Sequence, residues 1–361
     1  MSDGIHDSVK DYYGKVLQKS GDLKTTACTT SENESMSKSV KHALSLLSDE
    51  VHEKYYGCGI VLPPALENCT VLDLGCGAGR DCFCLSKLIG ENGHVTGLDM
   101  TQEQLDVANR NISFHTEKFG YSKPNIDFKK GYIEKLTEAG IKASTFDVIV
   151  SNCVVNLSPD KEAVLSEAYK VLKEGGEFYF SDVYADRRLS EEILKNEVLW
   201  GECIAGALYW EDLINLAIKV GFTSPLLVSA SYIDIKNKEL KKILGCAQFI
   251  SATYRLFKIP KGDFRNSIAV YKGGIEDFES NLKFDYNHSF QKGIPVPVTG
   301  ELSGVLKGSR YSKFFTVEEQ KHSSEIINPF HVAGKSSGGC CGKPKQEEKK
   351  TKSCCSGEKC N

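Results

Sequence analysis

From residue 70 onward, short apolar runs alternate with amphipathic stretches. TVLDL (70–74), HVTGLD (94–99), FDVIVSN (146–152) and EFYFSDVY (177–184) are compact and rich in β-branched and aromatic residues, which predicts strands. IDFKKGYIEKL (126–136) opens with another. Between them, CFCLSKLIG, TQEQLDVANRNISFHTEKFG and PDKEAVLSEAYKVLKEGG place apolar residues at helical spacing. Thr101 stands where a helix should be capped and Gly120 where it should end. Such alternation predicts an α/β fold, a doubly wound parallel sheet with helices on both faces. Ligands of such sheets bind beyond the carboxyl ends of the strands.

The first strand runs into Gly75-Cys76-Gly77-Ala78-Gly79, where glycines let the backbone approach a ligand closely. A dinucleotide fingerprint would have glycine at position 80, but Arg80 stands there. Asp73, two residues before the loop, suits a cationic ligand better than a pyrophosphate. Asp99, ending the second strand, is placed to accept hydrogen bonds from a ribose diol. Together these residues favour S-adenosylmethionine over a nicotinamide cofactor, and with it a Rossmann-like class I methyltransferase domain.

Composition narrows the setting. The 361 residues are 40% apolar and 26% charged with net charge −3, ordinary for a globular enzyme large enough for two or three domains. No basic stripe marks the first 330 residues, so neither nucleic acid nor an anionic membrane is an expected partner. The polar start MSDGIHDSVKDYYGK resembles no signal peptide, and no apolar run reaches spanning length, so a cytoplasmic location is expected. Fourteen cysteines then stand out, because the cytosol disfavours a disulfide framework. Five crowd the polar tail as Cys340, Cys341, Cys354, Cys355 and Cys360. The others are Cys28, Cys58, Cys69, Cys76, Cys82, Cys84, Cys153, Cys203 and Cys246.

DSVKDYYGKVLQKSGDL, EKYYGCG, LDLGCGAGRDC, GHVTGLDM, GYIEKL, SNCVVNLSPDK, FSDVY, LWGECIAGALYW and ATYRLFK together resemble arsenite methyltransferases of the animal type. The resemblance runs from about residue 7 to about residue 290. The glycine loop alone would indicate any class I methyltransferase; YYGCG, SNC and WGEC are more specific, since each supplies a cysteine that the family uses.

The resemblance implies methyl transfer from S-adenosylmethionine to trivalent arsenic, with arsenite and methylarsenite, as thiol adducts, for acceptors. It implies that Cys153 and Cys203 hold arsenic, Cys58 serving as a third ligand, and that Cys28 and Cys58 form a redox pair. Reducing thiols such as glutathione or thioredoxin would reset that pair. Chemistry agrees, because soft trivalent arsenic selects thiolate over carboxylate or imidazole. Its lone pair attacks a methyl group with no proton to remove, so the site needs a holder of arsenic rather than a base. The cofactor set comprises Asp73, Gly75, Cys76, Gly77, Asp99 and Met100, with Tyr56 closing over the donor beside Tyr55. Ile133 is placed to pack on adenine and Glu134 to lie at its exocyclic edge; Asn152 joins the rim by resemblance. No metal cofactor is expected, since His94 and His115 have no second histidine at ligand spacing.

The remaining cysteines have plainer readings. Cys69, Cys82, Cys84 and Cys246 read as small buried hydrophobes. The tail pairs suit either capture of a soft ion or a solvated low-complexity segment with incidental thiols. Trp200, Tyr209 and Trp210 read as core or wall.

After Phe222 the alternation stops. LLVSASYIDI, GCAQFISATYRLFKI and SIAVYKGG suggest a smaller, mostly antiparallel domain. The expected organisation is an N-terminal extension (1–68), the methyltransferase domain (69–225), an arsenic-binding middle domain (226–275), a small C-terminal domain (276–335) and a disordered cysteine-rich tail (336–361). Two other functions fit the residues less well. A methyltransferase for another small acceptor would not need SNC with WGEC, and a thiol-rich metal scavenger would not need Asp73 and Asp99.

Overall fold

The computed structural model describes residues 2–13, 36–55, 57 and 59–320. The predicted strands form the parallel part of one large sheet: β1 (Thr70–Leu74), β2 (His94–Asp99), β3 (Ile126–Lys130), β4 (Phe146–Asn152) and β5 (Leu172–Ala185), with a two-residue β6 (Leu208–Tyr209) on β5. β7 (Leu226–Tyr232) and β8 (Phe249–Phe257) complete it in the order β3-β2-β1-β4-β5-β8-β7. β5 pairs with β4 in parallel but with β8 antiparallel, so the sheet is mixed.

Alternation along each strand splits the core. Leu72 of β1 and Phe178 and Phe180 of β5 pack under the helices Lys161–Val171 and Trp210–Val220. Val71, Val148 and Val150 face the other way, onto Phe83 and Leu85 of the helix Arg80–Ile89. The central strands β1, β2, β4 and β5 are buried on both faces, as a parallel sheet requires, while β3 and β7 are only half-covered. The helix expected from Thr101 to Gly120 divides at Asn111 into Gln102–Arg110 and Ile112–Phe119. Thr101 occupies the N-cap without a side-chain cap, while Gly120 closes the end in the left-handed region at φ 77°.

The segment expected as a separate middle domain is arranged differently. Its strands β7 and β8 extend the large sheet, and β8 is hydrogen-bonded along its length to β5. The small C-terminal lobe starts earlier than residue 276, at β9 (Ser267–Tyr271), and also holds β10 (Asn281–Lys283), β11 (Ser289–Gln291), β12 (Pro295–Val298) and β13 (Phe315–Glu319). Antiparallel strands read alike in either position, because the local pattern does not name the strand they pair with.

A buried ion network joins lobe to sheet. Glu177 of β5 meets Arg255 Nε of β8 at 2.6 Å and Arg310 Nη1 at 2.6 Å. Arg255 also donates to the Phe284 carbonyl and the Tyr311 hydroxyl, and Arg310 to the carbonyls of Pro64 and Ala65. Burial opposes the charge on Glu177, but the two guanidinium groups overcome it and hold its pKa below the ordinary value. The linker leading into β1 is thus fastened to both the sheet and the lobe.

Candidate active site

Beyond the carboxyl ends of β1, β2 and β4 lies a solvent-open cleft of about 1020 Å³. Asp73, Gly75, Cys76, Gly77, Asp99, Met100, Ile133, Glu134, Asn152 and Cys153 all line it. Cys28, Cys58 and Tyr56 lie outside the described residues. The loop is built by left-handed backbone: Gly75 has φ 73° and Gly77 φ 53°. A Cβ on Gly75 would come within 2.4 Å of the Val154 side chain, so only glycine fits. Asp99 locks the loop, Oδ2 accepting from the Gly77 N–H and Oδ1 from that of Thr101, each at 2.8 Å.

Four carboxylates, Asp73, Asp81, Asp99 and Glu134, line the cleft, against the cations Lys54 and Arg80. Asp73 is fully enclosed, and burial together with the neighbouring charges of Asp81 and Asp99 pushes its pKa up to about 8. The Cys82 thiol donates to Asp73 Oδ2 at 3.1 Å. Burial also raises Asp81 and Asp99. Asp81 is offset by Arg80 at 3.5 Å and by Asn152, and Asp99 by backbone N–H groups, so it is the Asp73 charge that an entering cation would stabilise most. A sulfonium donor that also carries an ammonium group fits this set, and the locked Asp99 fits its ribose.

Cys153 lines the other end of the cleft, and Cys203 is buried against Cys153 rather than lining the cleft. Cys203 Sγ lies 3.2 Å from the Cys153 carbonyl oxygen, and Cys203 is completely buried. Both cysteines have left-handed backbone, φ 58° at Cys153 and φ 59° at Cys203, a region that non-glycine residues rarely visit and that concentrates at functional sites. Cys153 is disulfide-bonded in this structure, whereas Cys69, Cys76, Cys82, Cys84 and Cys246 are free thiols. A Cys153 thiolate therefore requires prior reduction. The Cys76 thiol is pushed up to about 11 by burial, so it is a packing group rather than a nucleophile.

Several residues that the pattern did not single out shape this end. The N-terminal helix Ser2–Asp11 brings His6 to 3.1 Å from Glu134 Oε1. Glu134, expected at an adenine edge, thus already has a protein partner. Tyr13 donates to the Gly201 carbonyl at 2.9 Å and lies 3.8 Å from Cys203 Sγ; Tyr12 donates to Glu202 at 2.6 Å. A Cβ on Gly201 would meet the Tyr12 ring at 2.8 Å, which accounts for the glycine in WGEC. DYY and WGEC were both conspicuous in the sequence, but nothing there showed that they touch. Lys161 donates to the carbonyls of Asn156 and Ser158 and sits 5.0 Å over the Trp200 ring; burial lowers its pKa to about 8. Arg80, in place of a glycine, stacks its guanidinium 3.8 Å over Tyr55.

The bland readings divide. Cys69, Cys82 and Cys84 are buried as expected, but Cys246 is exposed and lies 3.0 Å from Arg187 Nη1. His115 is a core histidine stacked on Phe83 at 3.8 Å, with Nδ1 at 2.8 Å from the Asn111 carbonyl and Nε2 accepting from the Ser48 N–H. Trp200 is wall, its indole donating to the Leu194 carbonyl, whereas Trp210 is exposed.

Residues 65–244 match a methyltransferase domain family, and residues 265–361 match the arsenite methyltransferase C-terminal domain family. The arsenite methyltransferase of Rattus norvegicus is 47% identical over 94% of this chain and 97% of its own. That of Homo sapiens shows the same values, and that of the bacterium Aquipseudomonas alcaligenes is 49% identical over 86% of this chain and 90% of its own. The crystal structure of an arsenic(III) S-adenosylmethionine methyltransferase from Chlamydomonas reinhardtii superposes with a TM-score of 0.76 at 45% identity, over 80% of this chain and 97% of that one. With an acidic cleft that Cys153 lines and Cys203 buried against Cys153, this chain, matched along almost its whole length, belongs to the arsenite methyltransferase family.

Proposed function

We propose that Cys153 and Cys203 hold trivalent arsenic at the sulfur end of the cleft, while Asp73, the Gly75–Gly77 loop and Asp99 hold the methyl donor. The enzyme is an S-adenosylmethionine-dependent arsenite methyltransferase, and its role is arsenic detoxification. The observation that carries the site assignment is the approach of Cys203 Sγ to the Cys153 carbonyl in a pair of left-handed cysteines, one of which lines the donor cleft.

S-adenosylmethionine supplies an electrophilic methyl group on a sulfonium. The chain supplies the rest. Asp99 keeps the loop in register through two backbone N–H groups, and Asp73 and Asp81 offer negative charge to a cation. Cys153 and Cys203 replace hydroxyl or thiol ligands on arsenic, each exchange releasing water or a free thiol. Two thiolates leave the arsenic lone pair free to attack. Attack takes arsenic from trivalent to pentavalent, and two thiols then return two electrons by forming a disulfide.

In this reading Cys58 is a third arsenic ligand, and Cys28 with Cys58 returns those electrons, reset by glutathione or thioredoxin. The bonded state of Cys153 supports a thiol-exchange cycle that passes through this end of the cleft. Among the described residues no helix is long and apolar enough to cross a membrane. A cytoplasmic location fits the free thiols among the described residues, which a reducing compartment preserves. The cysteine-rich tail lies outside the described residues and is proposed to be dispensable for chemistry.

The test is to incubate the protein with arsenite, S-adenosylmethionine and a reducing thiol, then separate arsenic species. Mono- and dimethylated arsenicals should appear in the parent and be lost in Cys153→Ser. Donor turnover without methylated arsenic would defeat the assignment.

A further inference from the structure

One face of the large sheet carries hydroxyls where a Rossmann-like core would carry Val, Ile or Leu. Registered across four strands, Asn152 of β4 pairs with Ser181 of β5, Ser181 with Thr253 of β8, and Thr253 with Ser229 of β7. Ser251 and Ser231 form the next pair on the same face. Ser181, Ser251 and Thr253 are 2%, 6% and 9% exposed, so these are buried polar groups rather than surface serines. Ser181 and Ser251 approach only to 3.5 Å, and the Thr253 hydroxyl has no hydrogen-bond partner among the described residues. The Thr253 hydroxyl therefore faces the groove it lines without a protein partner, where a ligand could satisfy it.

All of these hydroxyls except the Asn152 amide line a second groove, of about 2250 Å³ including its open mouth. Its far wall is apolar, from Ile60, Leu62, Pro63, Ile275 and Phe314. None of its described lining residues is Lys, Arg or His, and its only charges are the exposed Glu67 and Glu276. Among these described residues an anionic ligand would find no counter-charge. The groove ends at Gly59, whose carbonyl accepts from Tyr55 at 2.5 Å and from Asn152 at 3.0 Å, and both of those residues line the donor cleft. Ser181 spans the boundary as well, its hydroxyl in the groove and its carbonyl accepting from the Cys153 N–H at 2.8 Å.

Resting on the arsenite methyltransferase reading, we propose that this serine-lined groove binds the acceptor as a small uncharged polyhydroxy solute, trivalent arsenic hydroxide, before thiol exchange at Cys153. Arsenic hydroxide is neutral near neutral pH and both donates and accepts hydrogen bonds, which matches neutral hydroxyls and fits poorly against a charged lining. Exchange is balanced: each As–OH is replaced by As–S as one thiol proton leaves with hydroxide as water.

The test compares steady-state kinetics of the parent with two variants, using arsenite as the probe. Thr253→Val with Ser251→Ala removes two hydroxyls and little volume. Ser229→Trp, on the half-buried end strand, fills the groove and leaves the buried sheet alone. Each should raise KM for arsenite about tenfold, the sum of two ordinary hydrogen bonds in the first case. The Kd for S-adenosylmethionine and kcat at saturating arsenite should stay within about twofold. Unchanged arsenite KM in both variants would overturn the groove while leaving the activity intact. An equal loss of donor affinity would also overturn it, because the groove would then be only a support for the donor site. A parent that fails to methylate arsenite would instead refute the activity on which the proposal rests.

Discussion

Cys203 Sγ lies 3.2 Å from the carbonyl oxygen of Cys153, fifty positions away in the chain. The approach joins the end of β4 to the turn after the helix Glu197–Gly201, and Tyr13, two residues past the N-terminal helix, closes over it. A serine at either position is nearly isosteric but replaces a soft ligand with a hard one. Misplacing arsenic by about 1 Å costs on the order of a hundredfold in rate. Cys153→Ser and Cys203→Ser should each lose methylation of arsenite and of its monomethylated product at that scale, with donor affinity kept. Arsenic K-edge absorption should count fewer sulfur neighbours, and unchanged coordination would move the arsenic site elsewhere.

Cys28→Ser and Cys58→Ser should differ from those variants. Both should block turnover of arsenite but spare transfer to a monomethylated, thiol-bound acceptor, which needs fewer protein ligands. Since Cys153 is disulfide-bonded, the parent prepared without reductant should bind arsenite only after thiol is added. Parent rates from both variants in a stopped assay would exclude the relay.

Asp99 should control donor affinity in two ways, through the ribose and through the loop N–H groups that it accepts. Asp99→Ala removes a charge-assisted acceptor worth roughly 1.5–3 kcal/mol, so the donor Kd should rise by about ten- to a hundredfold. Calorimetry on the folded variant decides it.

Asp73 predicts the pH dependence of donor binding. With its pKa near 8 in the donor-free protein, the carboxyl is protonated at lower pH and must lose that proton when a cation binds. Donor affinity should therefore rise with pH up to about 8 and level off above it, by at most about tenfold per unit. The donor-free fold shows the opposite trend: a raised carboxyl pKa favours the neutral form, so this group's contribution is lost as pH climbs from the ordinary carboxylate value through about 8. Asp73→Asn should flatten both curves, measured by calorimetry and thermal melts; an unaltered binding curve would separate Asp73 from the donor.

Glu177 carries the joint between sheet and C-terminal lobe. Glu177→Gln leaves Arg255 and Arg310 buried without a counter-ion, and breaking such a group costs about 3–5 kcal/mol. The variant should melt well below the parent, with early loss of structure around Tyr311 and the linker at Pro64. An unchanged denaturant midpoint would show that the network is replaceable.

Sequence by itself determined the parts of this protein that depend on nearest neighbours in the chain. The β1 strand, the glycine loop and Asp99 at the end of β2 were legible because glycine conformational freedom, strand periodicity and the strand–loop–helix order are local properties. The choice of a cationic methyl donor followed from Asp73 and Arg80 in the same way, whereas the acceptor came from the family resemblance that YYGCG, SNC and WGEC carry. Tertiary structure decided what local chemistry cannot express. β7 and β8 read as an independent antiparallel piece, yet they join the large sheet because β5 offers them a free edge. Tyr12 and Tyr13 meet WGEC across nearly two hundred positions, and the serines of β5, β7 and β8 become one polar face only once their registers are set. Side-chain partners across strands are fixed by register, and register by the burial of both faces, a condition that only the whole packed sheet satisfies.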